Sequence, residues 1–305
     1  MRAFFLRILL NLILLTARIE AAILPTSWLF AMGRCAARWG IRLSSSLREN
    51  LEDNARHLLG EGSTSAERRA LAVKTLESFS RFFVELVAAR RHRPPGADTL
   101  LERIRGYDAA ERAKDRGQGV IGVTLHMGNY ELGAQALPDL VSPVAIAYNR
   151  DPWGLFESLR STTRQANRVE EIPINASRFF TIEARNVLKR KGLLLTAADR
   201  GLPTERGSVY TFLGGRARFL DWPARLSVAT GAPLLPCAVV RLPDEGYTIE
   251  LGEPLDPADF PDARALMQRA VEALEDFVRR FPEQWLILHR YWETQPEEEA
   301  HAAAA

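Results

Sequence analysis

The chain has 305 residues, 47% of them hydrophobic, and a formal net charge of +2. That is enough to bury one sizeable core and excludes a chain disordered along most of its length. The balanced charge gives no reason to expect a nucleic-acid partner, although arginine supplies all the basic side chains except Lys74, Lys114, Lys189 and Lys191, and its planar fork suits phosphate where it clusters.

Residues 3–33 are strongly apolar but are interrupted by Arg7, Asn11, Arg18 and Glu20. A spanning helix wants about 20 mostly apolar residues, and a central arginine costs about 3 kcal/mol. Three arrangements compete: a helix lying in the cytoplasmic leaflet with Arg2, Arg7 and Arg18 at lipid phosphates, a short or tilted spanning anchor, and a signal peptide lacking a convincing cleavage site. The first two make residues 1–40 a membrane-associating segment and place the protein on a membrane.

From Leu47 to His92 the pattern is helical. Thr64-Ser-Ala-Glu67 fits a capping box, and Leu71, Thr75, Phe79, Phe82, Phe83 and Leu86 follow at helical spacing until Pro94 and Pro95 stop the helix. Strands are then expected at Val120–Leu125, Val144–Tyr148 and Leu193–Ala197, with helices from about Asn129, over Leu155–Asn167 and over Phe179–Lys191. Short apolar strands separated by helices imply a largely parallel sheet covered on both faces. Leu234–Arg241 and Tyr247–Leu251, joined by the turn Pro243-Asp-Glu-Gly246, suit an antiparallel edge. An apolar stripe of Leu266, Ala270, Leu274, Phe277, Val278 and Phe281 marks a packing helix over Asp262–Phe281. The acidic, Ala-rich tail after Glu293 reads as disordered. The fold class expected is α/β, a mostly parallel central sheet flanked by helices, with an N-terminal membrane-associated helical segment. Residues 41–293 form the α/β domain and 294–305 the tail.

Cys35 and Cys237 lie far apart without metal-ligand spacing and read as free thiols, Cys237 as a small core residue; no metal or cofactor motif is present. Of the five histidines, His57 and His92 lie in helical, charged surroundings, His301 lies in the tail, and His289 reads as structural. His126 differs, because Val120-Ile-Gly-Val-Thr-Leu-His126 delivers it where a buried strand must emerge, the usual place for sites in open α/β folds. On one continuous helix, positions five apart stand about 140° apart, so Glu131 reaches the imidazole only if His126 is still on the strand or turn. In that arrangement Glu131 would fix the tautomer of a His126 base, and backbone N–H groups near Gly128 and Asn129 would bind an oxyanion or phosphate. The competing reading is a buried strand-end histidine with an unrelated surface glutamate.

The segment His126-Met-Gly-Asn-Tyr-Glu131-Leu resembles the H-x4-[DE] block of bacterial lipid A late acyltransferases, within the lysophospholipid acyltransferase superfamily. Further similar blocks follow in order: Leu188-Lys-Arg-Lys-Gly192 with Leu193–Asp199, Phe212-Leu-Gly-Gly-Arg-Ala217, Ala229-Thr-Gly-Ala-Pro-Leu-Leu-Pro236, and Pro282-Glu-Gln-Trp-Leu-Ile-Leu-His-Arg-Tyr291. The resemblance implies a glycerolipid-acyltransferase-like fold. It also implies a membrane-bound O-acyltransferase at the cytoplasmic face of the bacterial inner membrane. Its donor would be a fatty acyl thioester, on acyl carrier protein or CoA, and its acceptor a glycolipid, a lipid A precursor, with no cofactor beyond these substrates. His126 would be the base and Glu131 its partner, with Gly128, Asn129, Arg164 and Asp199 as substrate contacts and Arg160, Arg150 and Arg200 as weaker candidates. This chain departs from the family at Asp199-Arg200, where Asp-Gln is common, and at Asn167-Arg168, where a glycine is usual. Acylation of another glycolipid, phospholipid or aminolipid, and a noncatalytic lipid-binding protein on the same fold, remain as alternatives.

Overall fold

The computed structural model describes residues 16–89, 97–150, 157–177, 179–199, 207–244 and 246–293. Residues 16–23 are helical (α1), and α2 (Thr26–Leu43), α3 (Ser45–Leu59) and α4 (Ser65–Ala88) follow. The capping box forms as read: the Thr64 side chain accepts from the Glu67 backbone N–H, and Glu67 accepts from Thr64. The Pro94–Pro95 stop, Arg200 and the tail from residue 294 lie outside the described residues.

The expected membrane-associated N-terminal segment, and with it the inner-membrane placement, is overturned. Among the described residues no helix is long and apolar enough to cross a membrane. The helix breaks before Pro25, α2 carries Arg34, Arg38 and Arg42, and three of its apolar residues, Leu29, Ala37 and Ile41, are buried within the protein. Ala21 and Leu29 join Phe82 and Leu86 of α4, while Ala37 and Ile41 join Leu51, Ala72 and Leu76.

The α/β reading holds. In chain order the remaining elements are β1 (Ile104–Arg105), α5 (Tyr107–Asp115), β2 (Val120–Thr124), α6 (Tyr130–Ala136), β3 (Val144–Tyr148), α7 (Glu157–Ala166), β4 (Val169–Pro173), α8 (Phe180–Lys189), β5 (Leu193–Ala197), β6 (Ser208–Phe212), β7 (Gly215–Phe219), α9 (Trp222–Thr230), β8 (Leu234–Arg241), β9 (Tyr247–Leu251) and α10 (Ala263–Arg280). The seven-stranded sheet has the order β1-β9-β8-β2-β5-β3-β4, and β6 and β7 form a separate hairpin. From β8 to β4 every neighbour pairs in parallel, while β8 and β9 pair antiparallel as their short turn predicted.

The two faces of the sheet differ. On one, Ile121, Val123, Leu194, Leu234 and Val240 pack with Leu266, Ala270, Leu274 and Val278 of α10 and with Phe212 and Phe219 of the hairpin. On the other, Val120, Val144, Ile146, Val169, Leu193, Leu195 and Leu235 form a cluster whose buried helical members, among the described residues, are Ala113 of α5 and Ala134 of α6. Two short helices bearing small side chains do not fill this face, and a cavity remains against it.

After α10 the chain crosses the mouth of the sheet as a strap over residues 284–292. Asn54 of α3 pins it: its Nδ2 donates to the carbonyls of His289 at 2.8 Å and Ile287 at 3.4 Å, and its Oδ1 accepts from the Tyr291 N–H at 3.1 Å. Asn54→Leu leaves those buried backbone groups unpaired, at about 1–3 kcal/mol each when unsatisfied. The expected outcome is a urea midpoint lowered by the equivalent of about 2–4 kcal/mol with an unchanged m-value.

Candidate active site

The site grows from the pairing of β2 with β5, in which Thr124 stands opposite Ala197. Two residues beyond each partner come His126 and Asp199, so the parallel register sets them opposite one another. The Asp199 carboxylate is fully buried. It accepts the His126 backbone N–H at 2.9 and 3.1 Å, the Trp285 indole N–H at 3.0 Å, and His126 Nδ1 at 2.6 Å. Burial by itself would raise this carboxyl, but the His126 charge interaction and these donors hold it below its ordinary range. An ionised carboxylate only accepts, so Nδ1 carries the hydrogen and Nε2 is the nitrogen suited to take a proton. The His126 side chain keeps 15% of its surface exposed.

Glu131 is committed elsewhere. It is the second residue of α6, buried, and its two oxygens meet the Arg164 guanidinium of α7 as a fork at 2.5 and 3.0 Å. Arg164 also meets Glu171 at 3.1 Å and lies over the Tyr148 ring at 4.7 Å, with its own side chain only 2% exposed. Burial alone would lower the guanidinium, but Glu131 and Glu171 keep it firmly charged. The carboxylate on the imidazole Nδ1 is therefore Asp199 rather than Glu131, because strand register brings Asp199 to the ring and helix α6 brings Glu131 to α7.

The turn between them is locked from both sides. Gly128 has φ +56, and a Cβ there would stand 1.9 Å from the Val239 carbonyl oxygen, so only glycine fits. Its N–H donates to the Gln284 carbonyl at 2.9 Å, and the Leu286 N–H donates to the His126 carbonyl at 2.8 Å. Asn129 caps α6, its Oδ1 accepting from the Leu132 N–H, while its Nδ2 donates to Glu85 at 2.8 Å. The Gly128 N–H expected to face an oxyanion is thus spent inside the fold, and the Asn129 side chain is committed to the α6 cap and Glu85. Glu85 of α4 also accepts from the Tyr247 hydroxyl at 2.6 Å and from Arg81 at 3.0 Å. Sequence reasoning missed Glu85, and it met Gln284 and Trp285 only as members of the closing block without a role, since each acts from more than 30 residues away.

A cavity of about 580 Å³ opens beside His126 and runs under the sheet. Its walls include Gly122, Leu195, Leu235, Val239 and Leu251, reaching Val120 and Lys191 at the far end. His126 lies six residue steps beyond Val120, which is about 20 Å of extended chain at roughly 3.3 Å per residue. Tyr148, Asn149, Arg150, Arg160 and Arg164 also line it. Arg150 is exposed, 3.7 Å from Glu157, whereas Arg164 is enclosed by its two carboxylates. Burial pushes the Cys237 thiol in this wall up to about 12, so it stays protonated and is no nucleophile. Among the described residues no cluster suited to a metal ion occurs.

Residues 4–294 match the profile of the family described as bacterial lipid A biosynthesis acyltransferase. The chain is 24% identical to a phosphatidylinositol mannoside acyltransferase of Mycobacterium tuberculosis, covering 88% of each chain. It is 27% identical to the lipid A biosynthesis lauroyltransferase of Escherichia coli, over 87% of this chain and 84% of that one. It is also 26% identical to the lipid A biosynthesis palmitoleoyltransferase of the same organism, over 63% of this chain and 62% of that one.

The buried Glu131–Arg164 pair yields a direct measurement. Removing one partner of a buried pair typically costs about 3–5 kcal/mol because the other charge is stranded. Glu131→Ala is expected to lower stability by that order in chemical denaturation, and adding Arg164→Met in the same chain to recover most of the loss.

Proposed function

The chain belongs to the bacterial lipid A biosynthesis acyltransferase family and is an acyltransferase; from that premise we propose that it transfers a fatty acyl chain from a thioester of CoA or acyl carrier protein to a hydroxyl of a glycolipid or phospholipid. The observation that carries this reading is a His126–Asp199 dyad at the mouth of an apolar cavity about 20 Å deep. The volume and apolar walls suit one extended hydrocarbon chain, with its carbonyl left beside the imidazole.

In the proposed step the acceptor hydroxyl gives its proton to Nε2 of His126 while its oxygen attacks the thioester carbon. Asp199 holds Nδ1 and stabilises the imidazolium that forms. The C–O bond forms, the C–S bond breaks, and the proton passes from His126 to the leaving thiolate. A thioester is already activated, so positioning and a base suffice and no acyl-enzyme is needed. Glu131 contributes indirectly, through Arg164, by fixing α7 and the cavity wall beside the base. Arg150 and Arg160 at the mouth suit the phosphates of the donor or acceptor.

The relatives divide between a mannosylated inositol lipid and lipid A as acceptors, which favours the broad acceptor class over a lipid A precursor specifically. The narrower lipid A reading draws support from the family description and the two lipid A relatives. Mass spectrometry of total lipid after deletion separates them: a lipid A lacking one acyl chain selects the narrow reading, and loss of a chain from another lipid selects the broad one.

His126→Ala is expected to reduce transfer by at least about 10²-fold, the lower end of what a positioned base contributes, with an unchanged circular dichroism spectrum. Near-normal turnover by the purified variant refutes the mechanism. Leu235 pairs beside Gly122, midway along the cavity. Leu235→Phe is expected to shift the preferred donor to shorter chains in assays with acyl-CoA of graded length.

A further inference from the structure

A second cavity, of about 410 Å³, lies on the other side of Tyr130. Its floor is Phe79, Phe82, Phe83 and Leu86 of α4 with Leu288 of the strap, and it shares Tyr130, Arg160 and His289 with the cavity under the sheet. Tyr130 is the partition: its ring meets the His126 ring edge-on at 5.2 Å and stacks on Phe82 at 5.1 Å. The two cavities thus meet within one aromatic ring of the base.

The floor offers no hydrogen-bonding side chain, so it does not suit a sugar, whose hydroxyls would lose their water without replacement. The rim is different. Among the described residues Arg160 Nε is buried without a hydrogen-bond partner, Glu157 stands 4.0 Å from another of its nitrogens, and 17% of the side chain is exposed. A guanidinium with no carboxylate in close contact keeps its charge for a ligand, and its exposed edge at the rim suits an anionic oxygen. Apolar floor and cationic rim together describe a site for an amphiphile with one hydrocarbon chain and an anionic group. The donor does not need this space, because a thioester carries one chain and the cavity under the sheet already takes one.

We propose that the Phe79–Leu86 cavity is the acceptor's hydrocarbon subsite. One chain of the acceptor lies against α4, its anionic group meets Arg160, and its hydroxyl is carried past Tyr130 to His126. The assignment rests on the acyltransferase reading above and narrows the acceptor to an anionic lipid that already bears a chain. It also makes Tyr130 the spacer that keeps donor and acceptor chains apart.

The test uses the full-length protein and a lysophosphatidic acid with a diazirine in its acyl chain, irradiated in the presence of saturating palmitoyl-CoA, with labelled peptides mapped by mass spectrometry. The expected label falls within Phe79–Leu86. Arg160→Gln is expected to reduce labelling at limiting probe about tenfold, the loss of one charge-assisted contact of about 1.4 kcal/mol. Phe83→Trp is expected to raise the KM of the acceptor in transfer assays while leaving that of the donor in place. Label confined to β8 and β9, label displaced by palmitoyl-CoA, or no label at all overturns the assignment. Labelling needs no turnover, so a protein that labels in α4 but transfers nothing sinks the acyltransferase reading and leaves the subsite standing, and a protein that transfers without labelling does the reverse.

Discussion

The parallel register between β2 and β5 is the constraint from which the site follows. Because Thr124 faces Ala197, the two chain exits stand side by side, and an imidazole meets a carboxylate without any helix having to deliver one to the other. A slip of one residue in either strand would turn that strand's side chain to the opposite face and separate the pair. What protects the register is the mostly apolar character of both strands, packed between α10 on one face and the cavity wall on the other.

Around that pair the protein places its buried charge in two closed groups. Glu131 and Glu171 enclose Arg164, and Glu85 gathers Arg81, Tyr247 and Asn129. Each is expensive to break and adds little over an apolar alternative, so their value is geometric. The first ties α6 to α7 and β4; the second ties α4 to the cap of α6. Together with the strap, whose backbone pairs with His126 and Gly128, they hold the short turn carrying the base against three separate elements.

The asymmetry of the sheet supplies the rest. One face is sealed by an 18-residue helix with a continuous apolar stripe, the other is covered by helices of nine and seven residues that contribute only Ala113 and Ala134 to the buried cluster on that face. The unfilled volume is a consequence of short helices and small residues rather than of any single cavity-forming substitution, and it ends at the imidazole. The space for a hydrocarbon chain and the base that would act on its carbonyl therefore share one cause, the position of the sheet's carboxyl edge.

The sequence by itself determined the α/β class, the strands Val144–Tyr148, Leu193–Ala197, Leu234–Arg241 and Tyr247–Leu251, the capped helix after Thr64 and the emergence of His126 at a strand end, because each rests on local periodicity or turn chemistry. It left β4, the β6–β7 hairpin and α9 unread, since Val169–Pro173 alternates too weakly and the hairpin is stabilised by packing on α10. Only the tertiary structure decided which carboxylate meets the imidazole. Glu131 is near His126 in sequence and Asp199 is 73 residues away, yet hydrogen bonding across a parallel ladder outranks sequence distance. It decided likewise that Ala21 and Leu29 pack on α4, because hydrophobicity reports what can be buried and not what will bury it.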